Sequence, residues 1–190
     1  MNLTTLTHRL IDEHFNEKKH PIGLAIDATC GNGFDSLFLA QRAKRLLCFD
    51  IQTTAIEITR KCLATKSFSC VVDLFQRSHS ELVTTLKEKK LTHGIDIVMF
   101  NLGFLPQSNN LDITTKEATT VAAIKQSIQY LSNQGIITIL CYRGDKNDPN
   151  EFIAIHNLIK SLSKTEWLCQ QFDSAKATQT TPVLLLIKRK

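Results

Sequence analysis

The stretch from Gly23 to Asp35, Gly-Leu-Ala-Ile-Asp-Ala-Thr-Cys-Gly-Asn-Gly-Phe-Asp, constrains the fold more than any other part of the chain. Gly23 to Ala28 is a short apolar run suited to a buried strand, and Phe34 to Ala43 carries apolar residues at helical spacing. Between them, Gly31 and Gly33 permit a tight turn that a ligand can approach closely. Strand, glycine turn and helix in that order leave backbone N–H groups free at a helix N-terminus, where hydrogen bonds and the helix dipole hold a carboxylate or phosphate. A second apolar run, Leu46 to Asp50, ends in an aspartate placed to accept both hydroxyls of a ribose. The pattern reads as a cradle for a nucleotide-type cofactor.

Two cofactor classes use such a cradle. The dinucleotide fingerprint has a third glycine three residues after the second, and Ser36 stands there, which disfavours NAD. Enzymes that use S-adenosyl-L-methionine end the first strand in an acidic residue facing the methionine end of the cofactor, and Asp27 occupies that position. A turn that merely joins strand to helix is the alternative; the pair Asp27 and Asp50 argues against it.

Strand-like runs recur at Gly23–Ala28, Leu46–Asp50, Ser69–Phe75, Ile95–Asn101, Ile136–Tyr142, Trp167–Phe172 and Val183–Lys188, with helical patterns between the first six. This alternation predicts an α/β fold with a mainly parallel sheet covered on both faces. Asp173 to Pro182 is too short for a crossover helix, so the last two strands form a hairpin with one antiparallel strand. The result is a Rossmann-like, seven-stranded class I methyltransferase sheet. Residues 1–20, with Leu3, Leu6, Leu10 and Phe15 near helical spacing, read as an added amphipathic helix packed on the sheet, or as a face for a partner.

All 190 residues fit one domain, able to bury roughly 70% of its extended surface. With 43% hydrophobic and 22% charged residues the composition is that of a soluble globular protein. No apolar run spans a bilayer and the N-terminus is too polar for a signal peptide, so no membrane partner and a cytoplasmic location are expected. The six cysteines form no CxxC pair and sit mostly in apolar runs, which indicates neither zinc nor disulfides. Cys30, in the glycine turn, reads first as a residue that fits a tight space. A net charge of +5, with basic runs at Arg42-Lys44-Arg45, Lys87-Lys89-Lys90 and Lys188-Arg189-Lys190, leans mildly toward a polyanionic partner.

In such sheets ligands bind past the carboxyl ends of the strands. The residues there are Asp27 to Gly33, Asp50 to Gln52, Ser78-His79, Asn101 to Pro106 and Tyr142 to Asp145. Amino methyltransferases acting on nucleobases often follow the fourth strand with Asp or Asn, two residues that turn the backbone, and an aromatic. Carbonyl groups then accept hydrogen bonds from the attacking amine while the aromatic stacks on the base. Asn101 and Phe104 fit that logic, with Leu102-Gly103 between them; a plain strand exit with Phe104 in the core is the alternative. Gln107 to Thr115 is the most loop-like stretch and a candidate lid.

After Pro21 the chain resembles the bacterial tRNA 5-aminomethyl-2-thiouridine methyltransferases, formerly called rRNA methylases. The likeness rests on Asp27-Ala-Thr-Cys-Gly-Asn-Gly with Asp35, on Phe49-Asp50-Ile51-Gln52, on Ser78-His79, and above all on Phe100-Asn101-Leu102-Gly103-Phe104-Leu105-Pro106. Thr115-Lys116, Thr120, Gly135, Tyr142, Gly144 and Glu151 continue it. The resemblance implies methylation of an aminomethyl group on the wobble uridine of a tRNA anticodon loop. It also carries departures: Phe34 stands where relatives have a polar residue, Asp145 replaces a histidine, and Ala177 to Pro182 replaces an asparagine-rich run.

The expected division of work follows. Asp27 and the amides of Gly31, Asn32 and Gly33 hold the methionine end of the donor, and Thr29, Asp35 and Asn101 also belong to its binding site. Asp50 binds its ribose, and Gln52, Ser78 and His79 line its adenine. A surface histidine at a helix start is the other reading of His79. Asn101 orients the amine beside the donor, Tyr142 closes the pocket, and Asp145 helps to remove a proton. Phe104, Thr115 and Tyr142 contact the substrate, no metal is required, and a homodimer would supply further RNA surface. Rival readings are an rRNA or small-amine methyltransferase, and a catalytically idle methyltransferase-like module that binds RNA.

Overall fold

The computed structural model describes residues 2–91, 94–103, 114–143, 149–174 and 181–190. Among these, seven strands make one sheet: β1 (Ile22–Asp27), β2 (Ala43–Asp50), β3 (Val71–Gln76), β4 (Ile95–Asn101), β5 (Leu131–Tyr142), β6 (Trp167–Asp173) and β7 (Pro182–Arg189). The helices are α1 (Leu3–Lys18), α2 (Phe34–Ala40), α3 (Thr53–Leu63), α4 (Leu82–Glu88), α5 (Glu117–Tyr130) and α6 (Pro149–Ser161), with a 3-10 turn at His79–Glu81. The strand order is β3-β2-β1-β4-β5-β7-β6. Only β7 runs against its neighbours, pairing antiparallel with β5 and β6, as expected from the short final connection. This is the class I methyltransferase arrangement.

Strands β1 and β4 are buried along nearly their whole length, without alternation, because helices cover both faces of a parallel sheet. One face packs α4, α5 and α6 through Leu82, Leu86, Ala123, Ile124 and Ile155. The other packs α1, α2 and α3 through Ile11, Phe15, Leu39, Ile56 and Leu63. At the amino end of β4, buried Asp96 accepts from the Gly23 and Leu24 amides at 2.7 and 3.2 Å and from the Ser132 hydroxyl at 2.8 Å. That carboxylate pins β1 and β5 to β4. The register it helps to fix sets Asp27 opposite both Cys48 and Met99, and Asn101 opposite Leu140.

Two element boundaries and one helix face differ from the sequence expectation. Helix α2 stops at Ala40, because the Arg42 guanidinium turns back to bond the Phe38 carbonyl at 2.9 Å, and Ala43 opens β2 instead. Strand β5 begins at Leu131, five residues early, with a register shift opposite Ile95/Ile97. Gly135 lies inside it, where a Cβ would meet the Ile95 carbonyl at 2.7 Å. Finally, the inward stripe of α1 is Leu3, Thr7, Ile11, His14 and Phe15, so Leu6 and Leu10 flank it rather than lead it. The helix packs on β5 and β7, and His14 Nε2 lies 2.8 Å from the Gln134 carbonyl. Among the described residues no helix is long and apolar enough to cross a membrane.

Candidate active site

The chain runs outward from β1 to β3, then returns to lay β4 on the other side of β1. Past that switch point opens a cavity of about 610 Å³, lined from the turn after β1, the ends of β2, β4 and β5, and the start of α5. Gly33 takes φ +79, and a Cβ there would meet Thr59 Cα at 2.8 Å and Cys62 Cβ at 2.9 Å. Helix α3 therefore presses directly on the turn, and the Thr59 hydroxyl secures it by donating to the Gly31 carbonyl at 3.1 Å.

Two amides that the sequence suggested would be free are already engaged. Gly31 N–H donates to Asp50 Oδ2 at 3.1 Å, and Gly33 N–H donates to the Cys30 carbonyl at 2.7 Å. The Gln52 amide donates to Asp50 Oδ1 at 2.9 Å. Asp50 is thus held rigid at the cavity wall with a lone pair left on each oxygen. Burial raises its pKa, against the opposing pull of the Gln52, Gly31 and Ile51 amides.

Asp27 is almost fully enclosed and is not among the side chains lining the cavity. Its Oδ1 accepts from the Thr29 amide at 3.2 Å and its Oδ2 from the Ser36 hydroxyl at 2.6 Å. Ser36, which broke the dinucleotide pattern, therefore serves this carboxylate. Burial, and then the nearby Asp35 charge, push the Asp27 pKa up to about 7. Asp35 does line the cavity, and three carboxylates within one small region make it strongly receptive to positive charge.

At the end of β4 the Asn101 amide donates to Thr29 Oγ1 at 2.7 Å, locking the strand end to the turn. The Asn101 side-chain nitrogen lies 3.3 Å from Asp35 Oδ2. Since an ionised carboxylate only accepts, the NH₂ group faces Asp35 and the side-chain carbonyl is left for another donor. Thr115 exchanges backbone and side-chain bonds with Gly103, and its hydroxyl donates to buried Glu151 at 2.8 Å; Thr120 donates to the same carboxylate at 2.6 Å. Glu151 thereby fastens the segment around the β4 exit to α5 and α6. Tyr142 ends β5, half-buried, on the cavity wall.

His79 is buried, which excludes the surface reading. Burial lowers its pKa to about 4, against a hydrogen bond to the Ala28 backbone, so its ring is neutral at pH 7. It also lines the cavity, 3.4 Å from Thr120 Oγ1 and edge-on to Phe100. Ser78 caps the 3-10 turn by accepting from the Ser80 amide. Asn32 and Gln52 line the cavity as well. Cys30 is a buried thiol whose pKa burial raises far above its ordinary value, which suits a space-filling role rather than a nucleophile.

Phe104, Asp145 and the lid candidate up to residue 113 lie outside the described residues. Sequence reasoning missed Thr4, Arg77, Lys116 and Thr119 on the cavity wall, and His8 behind it. Thr4 and His8 fall one helical turn apart, but nothing local to α1 signals that this face meets the start of α2, where Asp35 lies 27 residues beyond His8. Phe34, 69% exposed, and Ile51, 53% exposed, line the cavity together.

Residues 46–188 match the model of the family described as "Putative rRNA methylase". The chain belongs to that family. A chloroplastic tRNA (mnm(5)s(2)U34)-methyltransferase of Arabidopsis thaliana is 30% identical over 176 residues, 86% of this chain. The match spans 62% of the length of that curated relative. Among solved structures of rRNA methylase type, a Clostridium thermocellum protein described as a "putative rRNA-methylase" superposes with TM-score 0.80 at 30% identity, covering 95% of this chain and 97% of that one. A "putative methyltransferase" from Streptococcus mutans, solved in complex with SAH, gives 0.82 at 29% identity, covering 100% and 99%.

Proposed function

We propose that the chain transfers a methyl group from S-adenosyl-L-methionine to the primary amine of wobble 5-aminomethyl-(2-thio)uridine in tRNA, yielding the methylaminomethyl nucleoside. The observation that carries this reading is Asn101, whose side-chain carbonyl is freed by the bond from its NH₂ group to Asp35 at the edge of a cavity that also holds Asp50. The fit to the donor rests on charge: Asp35 and Asp50 both act on Asp27 in one small acidic region, and the donor carries a sulfonium and an ammonium. When bound, the donor supplies an electrophilic methyl carbon.

In this reading each side chain has a separate task. Asp50, clamped by two amides, accepts the ribose hydroxyls on its remaining lone pairs. The neutral ring of His79 and the Ile51 side chain flank the adenine. Asn101 Oδ1 accepts an N–H of the amine and so turns the nitrogen lone pair toward the methyl; orientation of this kind contributes several kcal/mol to a displacement, of order 7 or more for ideal geometry. Tyr142 closes the far wall and excludes water. Phe104, stacking on the uracil, and Asp145, assisting proton loss, enter on the sequence alone. An anticodon loop suits such a site because its bases can be splayed out of the stack.

The Arabidopsis relative supports tRNA as the substrate, whereas the family description favours rRNA, and one experiment separates them. In a deletion strain, mass spectrometry of nucleosides should show aminomethyl uridine accumulating in tRNA at the expense of its methylated form. An unchanged tRNA profile with a methylated nucleoside missing from rRNA would give the rRNA reading instead.

A further inference from the structure

We propose that His8 and Asp35 form a positioning pair that sets the side-chain amide of Asn101, which makes the N-terminal helix a working wall of the active site. The inference rests on the methyl-transfer reading and goes beyond it, since α1 lies outside the matched family segment and the sequence marked it as an added helix or a face for a partner.

His8 Nε2 lies 2.7 Å from Asp35 Oδ1, and Asp35 Oδ2 receives the Asn101 side-chain nitrogen at 3.3 Å. The two carboxylate oxygens are therefore divided between a helix on one side and the reacting strand end on the other. The His8 ring is itself immobilised: it stacks on Phe38 with centroids 3.8 Å apart and planes within 7°. Arg42 sits 3.8 Å from the same Phe38 centroid, which the ring allows only on its other face. Two nitrogens of that guanidinium, Nε and Nη2, donate to Asp12, on the same helix as His8, at 2.6 and 3.0 Å. The clamp fixes α1 against α2, and one turn before His8, Thr4 reaches the cavity.

The charges facing Asp35 explain why it needs a donor from α1. Asp27 from β1 repels it, the Ser36 hydroxyl is committed to Asp27, and Arg42 is committed to Asp12. His8 supplies the hydrogen bond that keeps Asp35 turned with Oδ2 toward Asn101. A carboxylate so held admits only one orientation of the Asn101 amide, NH₂ toward Asp35 and carbonyl toward the amine. His8 and Asp35 are positioning residues here, and Asn101 is the group that touches substrate.

The test compares wild type, His8→Ala and His8→Gln, the last retaining a side-chain N–H. Single-turnover methylation of tRNA carrying 5-aminomethyluridine is measured alongside donor affinity by calorimetry, and the crystal structure of His8→Ala is determined. The pair predicts that His8→Ala slows transfer about ten- to hundredfold, with donor affinity within about twofold, because only alignment is lost. His8→Gln restores most of the rate, and in the His8→Ala crystal the Asn101 amide has left Asp35. An unchanged rate in His8→Ala, a loss that His8→Gln fails to restore, or an alanine-variant crystal with Asn101 Nδ2 still bonded to Asp35 Oδ2 would overturn the proposal. If wild type itself leaves this tRNA unmethylated, the substrate reading fails, and the crystal structure alone decides the positioning role.

Discussion

Two aspartates at neighbouring strand ends have different work because their surroundings differ. Asp50 is fixed by two backbone amides at the cavity wall, while Asp27 is sunk beneath the turn, where burial and Asp35 hold its pKa near 7. The unfolded chain titrates near pH 3.9, so between about pH 4 and 7 the folded, ligand-free protein keeps the proton more readily. That stability contribution is fully present below the unfolded pKa and is lost as pH rises through 7. A cationic donor reverses the preference by favouring the ionised carboxylate. Donor affinity measured by calorimetry should therefore be weaker by about tenfold or more at pH 5.5 than at 7.5, and level above that. Asp27→Asn should remove most of this slope; an equally steep profile in that variant would assign the titration to another group.

Elements met their expectations where periodicity and turn chemistry act locally. The strand runs, the glycine turn and the final hairpin were legible because burial on both faces and left-handed glycines leave direct marks in sequence. The early stop of α2 was not, since Arg42 is drawn off by Asp12 and the Phe38 carbonyl, partners that a single-segment reading does not weigh. Likewise, Leu6 and Leu10 suggested the wrong centre for the α1 stripe because Thr7 and His14 find buried hydrogen-bond acceptors and can face inward. Of the site, the residues just past the strands were readable from the switch-point rule, whereas His8 and Thr4 were not, because only the packing of α1 across the turn brings them there. The turn itself makes the sharpest element-level prediction. Gly33→Ala forces a side chain into φ +79 and against α3, at a cost of about 1–3 kcal/mol, with roughly 2–4 °C of melting temperature lost per kcal/mol for this chain length. Thermal unfolding checks it, and an unchanged midpoint would show that α3 can yield.

Across the whole molecule, the sheet sorts the basic residues by distance from the cavity. Because β7 is antiparallel, Lys188 pairs with Ile136 at one end of the β5–β7 ladder, while Tyr142 and Pro182 meet at the other, the cavity end. The run Lys188-Arg189-Lys190 therefore sits at the far end of the sheet, with Arg189 over the Trp167 ring. Arg42 and Arg45 are likewise bound to Asp12 and Asp73, and Lys89 also to Asp73. Lys116, on the cavity wall, is better sited to meet a phosphate. In binding measurements across salt concentrations, Lys116→Ala should lower the slope for RNA by about 0.7–0.9, one contact's worth, and Lys188→Ala should leave it unchanged. The reverse result would move the RNA to the opposite face.

Gripping the donor and aiming the acceptor are divided between Asp50 and Asn101, at the ends of β2 and β4 on either side of β1. Calorimetric titration of S-adenosyl-L-methionine into wild type, Asp50→Ala and Asn101→Ala tests this division most directly. Wild type should bind, Asp50→Ala should lose about tenfold or more in affinity with the missing ribose hydrogen bonds, and Asn101→Ala should bind with affinity close to wild type. No binding to wild type, or equal losses in the two variants, would contradict it.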